Sequence, residues 1–127
     1  MGKFKQVIEK ILVESEELFE MSTLRKYQTR LPVNIWIDDQ GAFRNVPHNL
    51  PRLKFQANKS DKVIGKGIPI SISIKKPEIL IDNPKTELNS YEIGQIKNFI
   101  VRNYKVLMKY WNQEINTEEL FKMIKKV

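Results

Sequence analysis

Val33-Asn34-Ile35-Trp36-Ile37 and Ile68-Pro69-Ile70-Ser71-Ile72-Ser73-Ile74 decide how this chain folds. In both, apolar side chains recur at every second position. That period belongs to a strand with one face in a core and the other turned away from it. The first run sends Val33, Ile35 and Ile37 inward and leaves Asn34 and Trp36 on the opposite face. Leu53-Lys54-Phe55-Gln56-Ala57 repeats the pattern between them. Pro69 has no N–H to give to a ladder, so it belongs at a strand's start or on an edge. Lys75-Lys76-Pro77 then turns the chain into Glu78-Ile79-Leu80-Ile81, the return strand of an expected hairpin.

Outward from this block the period changes from two to between three and four. Over residues 3–21, Phe4, Val7, Ile8, Ile11, Leu12, Leu18 and Phe19 share one helical face. The helix carries its lysines early and Glu14, Glu16, Glu17 and Glu20 late, against the helix dipole. That order fits a solvated face; it also fits an acidic end that meets a basic surface, on a partner or in this chain. Leu24-Arg25-Lys26-Tyr27 extends the helical pattern by a turn. Pro32 then pushes Leu31 toward extended geometry. Downstream, Asn89 with Glu92 three residues on is a capping box. It opens a long helix in which Ile93, Ile96, Ile100, Tyr104, Leu107, Met108 and Trp111 keep one face. Asn116 with Glu119 caps a short last helix carrying Leu120, Phe121 and Ile124. The fold class expected is α+β: an N-terminal helix, a four-stranded mainly antiparallel sheet, then a long and a short helix, all one domain over residues 1–127.

The chain has 127 residues, 41% of them hydrophobic and 29% charged, the size and balance of one domain with a real core. No apolar run is long enough to cross a bilayer, and the N-terminus lacks a secretory pattern, so a cytoplasmic location without membrane attachment is the default. With no cysteine there is neither a disulfide nor a thiolate metal site. The formal net charge is +7, which suggests an anionic partner such as nucleic acid. The excess is spread along the chain, however, and 17 lysines outnumber 5 arginines, whereas arginine is the residue of bidentate phosphate and guanine contacts.

The chemistry is narrowly bounded. His48 is the one histidine, so no Ser–His–acid triad forms without it, and no Gly-x-Ser-x-Gly is present. Gly65-Lys66-Gly67 is too short for a phosphate-binding loop and runs into a strand. Asp38 and Asp39 sit together in turn chemistry with Gly41, and the strand bodies carry no acid that would hold a metal. No metal and no cofactor are expected. His48, between Pro47 and Pro51, reads either as a rigid-loop residue bonded to backbone, as a binding residue, or as the weak catalytic candidate of a small ribonuclease aided by Arg44 or Arg52. Trp36 is the stronger binding candidate. If the strands pair in register, its face also carries Asn34, Lys54, Gln56, Ser71 and Ser73, and an open aromatic among amides and lysine stacks on a base or anchors a protein. The alternative places Trp36 under a helix.

Arg30-Leu31-Pro32-Val33-Asn34-Ile35-Trp36-Ile37-Asp38-Asp39, then Pro47-His48, then Phe99-Ile100, Tyr104 and Leu107-Met108-Lys109-Tyr110-Trp111-Asn112 resemble a small bacterial domain of unknown function found in toxin–antitoxin-like or mobile-element settings. The resemblance covers residues 31–113. That family tends to carry a second histidine after the Pro-His pair; here Asn49 and Leu50 follow. The resemblance implies an α+β fold and a mobile-element context, and adds no catalytic residue. The function expected is therefore a non-enzymatic binding protein, of the phage or mobile-element inhibitor kind. It would dock a nucleic-acid-processing protein or ribonucleoprotein through Trp36, Lys54, Arg44, Arg52 and His48. The alternatives are a ribonuclease-like toxin using His48 and a module that binds nucleic acid directly.

Overall fold

Alternation over 33–37, 53–57 and 68–72 becomes a ladder in the computed structural model, which describes residues 23–37, 50–60, 62 and 66–127. Four antiparallel strands lie in chain order: β1 Thr23–Leu24, β2 Ile35–Ile37, β3 Arg52–Gln56 and β4 Gly67–Ser71. The register sets Ile35 against Phe55, Ile37 against Leu53, and Leu53 and Phe55 against Ile70 and Ile68. All six are buried. A slip of one residue would turn the whole set to the other face, so burial on one side is what fixes the pairing.

Two expectations about the sheet are corrected. Its fourth strand is Thr23–Leu24 at the β2 edge, where a further turn of helix was expected. Residues 78–81 do not form a strand. They touch β4 through a single bridge, Ile70 to Ile79, with Ser71 N–H donating to Glu78 O and Leu80 N–H donating to Pro69 O. Pro69 does sit on the edge strand, and its carbonyl serves the residue beyond. Between β1 and β2 lies a single turn of helix, α1 Lys26–Thr29, closed by Arg30 in the left-handed region at φ 65°.

The second layer is helical. α2 Ser90–Arg102 starts at the expected capping box: Asn89 Oδ1 accepts from Glu92 N–H and Glu92 Oε1 accepts from Asn89 N–H. The long helix then kinks at Asn103, and α3 Tyr104–Trp111 continues it. The cause is the Asn103 side chain. Its amide donates to Phe99 O at 3.0 Å, within its own helix, and to Lys125 O at 3.0 Å, while its Oδ1 accepts from Lys125 N–H at 2.8 Å. Side-chain bonds back to the preceding turn bend helices. α4 Thr117–Met123 follows a second capping box, Asn116 with Glu119, and Tyr110 Oη meets Thr117 Oγ1 at 3.0 Å.

Ile96, Phe99, Ile100, Leu107, Tyr110 and Leu120 join the inward residues of the sheet in one core cluster, and Trp111 is also buried. The molecule is thus α+β, with helices packed on the Ile35–Phe55–Ile70 face. Phe121, expected inside, is exposed. Among the described residues no helix is long and apolar enough to cross a membrane. The N-terminal helix expected over 3–21 lies outside the described residues.

Candidate functional site

The register brings together three of the five residues expected to bind. Trp36 stands opposite Lys54, Lys54 opposite Pro69, and Arg52 opposite Ser71. Gln56 stands opposite Gly67, so Asn34, Lys54, Gln56 and Ser71 share Trp36's face as foreseen. Ser73 does not, because β4 has already ended; its hydroxyl instead accepts from the N–H groups of Lys75 and Lys76. Arg44 and His48 lie outside the described residues, and so does every reading placed on them.

Of the two readings of Trp36, open to a partner or covered, the open one does not hold: it is 4% exposed. Its ring reaches diagonally across β3 to the backbone of Gly67. A Cβ at Gly67 would lie 2.6 Å from Trp36 Cζ3 and 3.0 Å from Lys54 Cβ. Glycine is what lets a strand and an aromatic plane approach this closely. Asn34 and Gln56 are also fully buried. Asn34 Oδ1 accepts from Lys26 N–H at 2.9 Å, and its amide donates to Gln56 Oε1 at 3.3 Å. Gln56 Nε2 donates to Asn58 Oδ1 at 2.7 Å and Ser60 O at 3.0 Å. Buried polar groups must be paired in this way or cost stability. Asn34, Trp36 and Gln56 on the polar face of the sheet are therefore packed, and its aromatic does not stand open to a partner.

The open surface lies at the helix kink. Asn103 interrupts the helix between α2 and α3 and holds the extended residues after α4 beside it. A groove of about 270 Å³ results. It is lined by Ile74, Val101, Tyr104, Val106 and Met123 together with the positive side chains of Arg102, Lys105 and Lys125, here termed its rim. Ile74 is 54%, Val101 39% and Met123 40% exposed. No carboxylate is among these described lining residues. Lys75 and Lys76, both exposed, follow Ile74 directly, and Lys76 Nζ pairs with Glu78 Oε1 at 3.9 Å. Small-molecule sites run to roughly 300–1,000 Å³ and envelop their ligand. This open groove is smaller, and suits a few side chains of a larger partner.

Sequence reasoning missed this surface for definite reasons. Ile74 was placed as the last inward residue of the alternating run, but the strand stops at Ser71. Val101 stands off the apolar face of its helix, which was the available signal: an apolar residue among Asn98, Arg102 and Lys105 on the solvent side. Met123 and Lys125 come beside it through the Asn103–Lys125 bonds, and that long-range contact has no local signature. Among the described residues no three His, Asp or Glu side chains gather as a metal site. No family model, no curated protein and no solved structure matches the chain.

Proposed function

We propose that this chain is a non-enzymatic binding protein whose groove at the α2–α3 kink takes an acidic segment of a protein partner with interspersed apolar side chains. The carrying observation is the juxtaposition of exposed Ile74, Val101 and Met123 with Arg102, Lys105 and Lys125, no acid among them. Apolar side chains of the partner would cover the apolar lining. Its carboxylates would pair with the rim, where the Arg102 guanidinium offers a forked donor and the lysines point charges. The positive rim and the net charge of +7 would speed encounter with an acidic surface and oppose a basic one. The exposed RNA of a ribonucleoprotein carries the same negative sign as such an acidic surface.

The test uses two fluorescein-labelled peptides with one apolar pattern, one filled with Glu and the other with Lys. The Glu peptide should bind saturably and the Lys peptide should not. Val101→Glu should weaken the Glu peptide by about tenfold or more, the loss expected of an interface anchor. The pair Arg102→Glu with Lys105→Glu should slow association most at low salt. Val101 and Arg102 are exposed enough for the thermal melt to stay close to wild type. Equal binding of both peptides, or variants that bind like the parent, would remove the groove as the contact surface.

A further inference from the structure

Glu14-Ser15-Glu16-Glu17-Leu18-Phe19-Glu20-Met21 holds four carboxylates and three large apolar side chains within eight residues. That composition complements the groove at the α2–α3 kink. There Ile74, Val101 and Met123 are exposed beside Arg102, Lys105 and Lys125, with no acid among the described lining residues. Among the described residues, none of these three cations enters an ion pair. The four glutamates lie at the end of the 3–21 helical pattern next to Thr23. Glutamates placed late in a helix oppose its dipole, so such a pattern is favoured by cations that meet it from outside.

The strand register puts the start of β1 at the same end of the sheet as the groove. Thr23 pairs with Trp36 and Leu24 with Ile35, so β1 is entered at the end where β2 leaves through Ile37. β4 leaves at that end too, since Ile37 pairs with Leu53 and Arg52 with Ser71. Ile74, a lining residue, follows shortly after Ser71. With the strands in the order β1-β2-β3-β4, three spacings, about 14 Å, separate the entry of β1 from the exit of β4. Eight residues reach about 12 Å as a helix and up to about 28 Å extended. Residues 14–21 are therefore long enough to cross from Thr23 to the groove.

We propose that residues 14–21 of the same chain, which lie outside the described residues, occupy the groove while no partner is bound. Leu18, Phe19 and Met21 meet its apolar lining, the glutamates meet Arg102, Lys105 and Lys125, and a partner's acidic segment binds by displacing them. This rests on the groove taking acidic segments with apolar side chains, and adds how access to it is regulated. A ligand tethered by a short linker acts at an effective concentration on the order of millimolar, so modest contacts suffice to hold the site. The partner's apparent affinity is then reduced by the fraction of molecules whose groove is free. Weak acidic competitors are turned away, and a tight partner is admitted.

The chain has no cysteine, so Ser15→Cys carries a nitroxide at a single place and keeps all four glutamates. In the full chain this label should broaden the amide signals of Val101, Lys105 and Lys125. It should spare Lys59 and Glu87, which meet at the other end of the strands beyond Gln56. Glu14→Gln, Glu16→Gln, Glu17→Gln and Glu20→Gln together should abolish the broadening, and the Glu-filled peptide should reverse it by competition. The same four substitutions, without the label, should tighten binding of that peptide about tenfold if the segment fills the groove about nine-tenths of the time. Groove amides untouched by the label would overturn the inference. So would broadening seen when nitroxide-labelled chains are mixed with isotope-enriched unlabelled ones, which makes a second copy the occupant. A peptide bound alike by wild type and the substituted chain, with no broadening, removes the self-occupancy and leaves the partner's site standing. Broadening with a peptide that binds neither protein does the reverse: the segment holds the groove, and the partner reading fails.

Discussion

At the scale of single residues, Trp36 and Gly67 show how a side chain's role depends on what faces it. Trp36 alternates with core residues, and the pattern left it either open to a partner or covered by a helix; its ring lies over a glycine two strands away. Gly67→Ala should destabilise the protein by roughly 1–3 kcal/mol, because an added methyl would meet a rigid aromatic plane and the ring has to shift. Trp36→Ala should cost more, roughly 3–5 kcal/mol, since a large buried side chain is removed. Denaturant melts give both values. A Trp36→Ala protein as stable as its parent would mean that this face is loosely packed after all. The expected hot-spot role of Trp36, with loss of binding and no loss of stability, does not fit 4% exposure.

At the scale of elements, the sequence was most legible where the signal is local. Both capping boxes, Asn89–Glu92 and Asn116–Glu119, stand where their residue pairs placed them. The inward faces of β2, β3 and β4 follow from period two, and the apolar face of α2 and α3 from helical spacing. What was illegible is non-local. A two-residue strand such as β1 has no period to read, and its pairing with Ile35–Trp36 arises from the tertiary fold. Residues 78–81 have strand character, yet form one bridge because the chain runs on into bends. The kink at Asn103 depends on Lys125, twenty-two residues away. Asn103→Ala removes an acceptor for Lys125 N–H and a donor for Lys125 O together. It should destabilise by roughly 1–3 kcal/mol. In hydrogen exchange the Lys125 amide should lose protection, while amides in the middle of α2 fall no more than the global stability does. Val127 N–H, which donates to Thr29 O at 2.8 Å, should loosen with it. Unchanged exchange at Lys125 would show that the C-terminal segment is held without the Asn103 amide. The groove was illegible for the same reason, since that segment supplies one of its walls.

At the scale of the whole molecule, one carboxylate ties the sheet's loop to the helical layer, and its titration should be visible in the stability of the fold. Glu92 stands at the third position of α2. Its Oε2 meets Lys59 Nζ at 2.9 Å, and its Oε1 accepts from Asn89 N–H at 3.0 Å. The bond from Lys59, and after it the bond from the Asn89 backbone, hold its pKa below the ordinary carboxylate value. A carboxyl group with a lowered pKa in the folded state binds its proton less readily there than in the unfolded chain. Its contribution is therefore complete above the ordinary value, and is lost as pH falls through that value toward the lowered one. Glu92→Gln keeps an acceptor for Asn89 N–H and keeps the capping-box geometry, but abolishes the charge. The two proteins should differ most in melting temperature near neutral pH. They should converge between about pH 5 and pH 3, where carboxylates take up protons. The exposure of Lys59 and screening by salt make the difference small, and raising the ionic strength at neutral pH should shrink it further. A gap that stays constant from neutral to acid pH would show that the charge on Glu92 contributes nothing, and that the capping hydrogen bond alone joins this helix to its start.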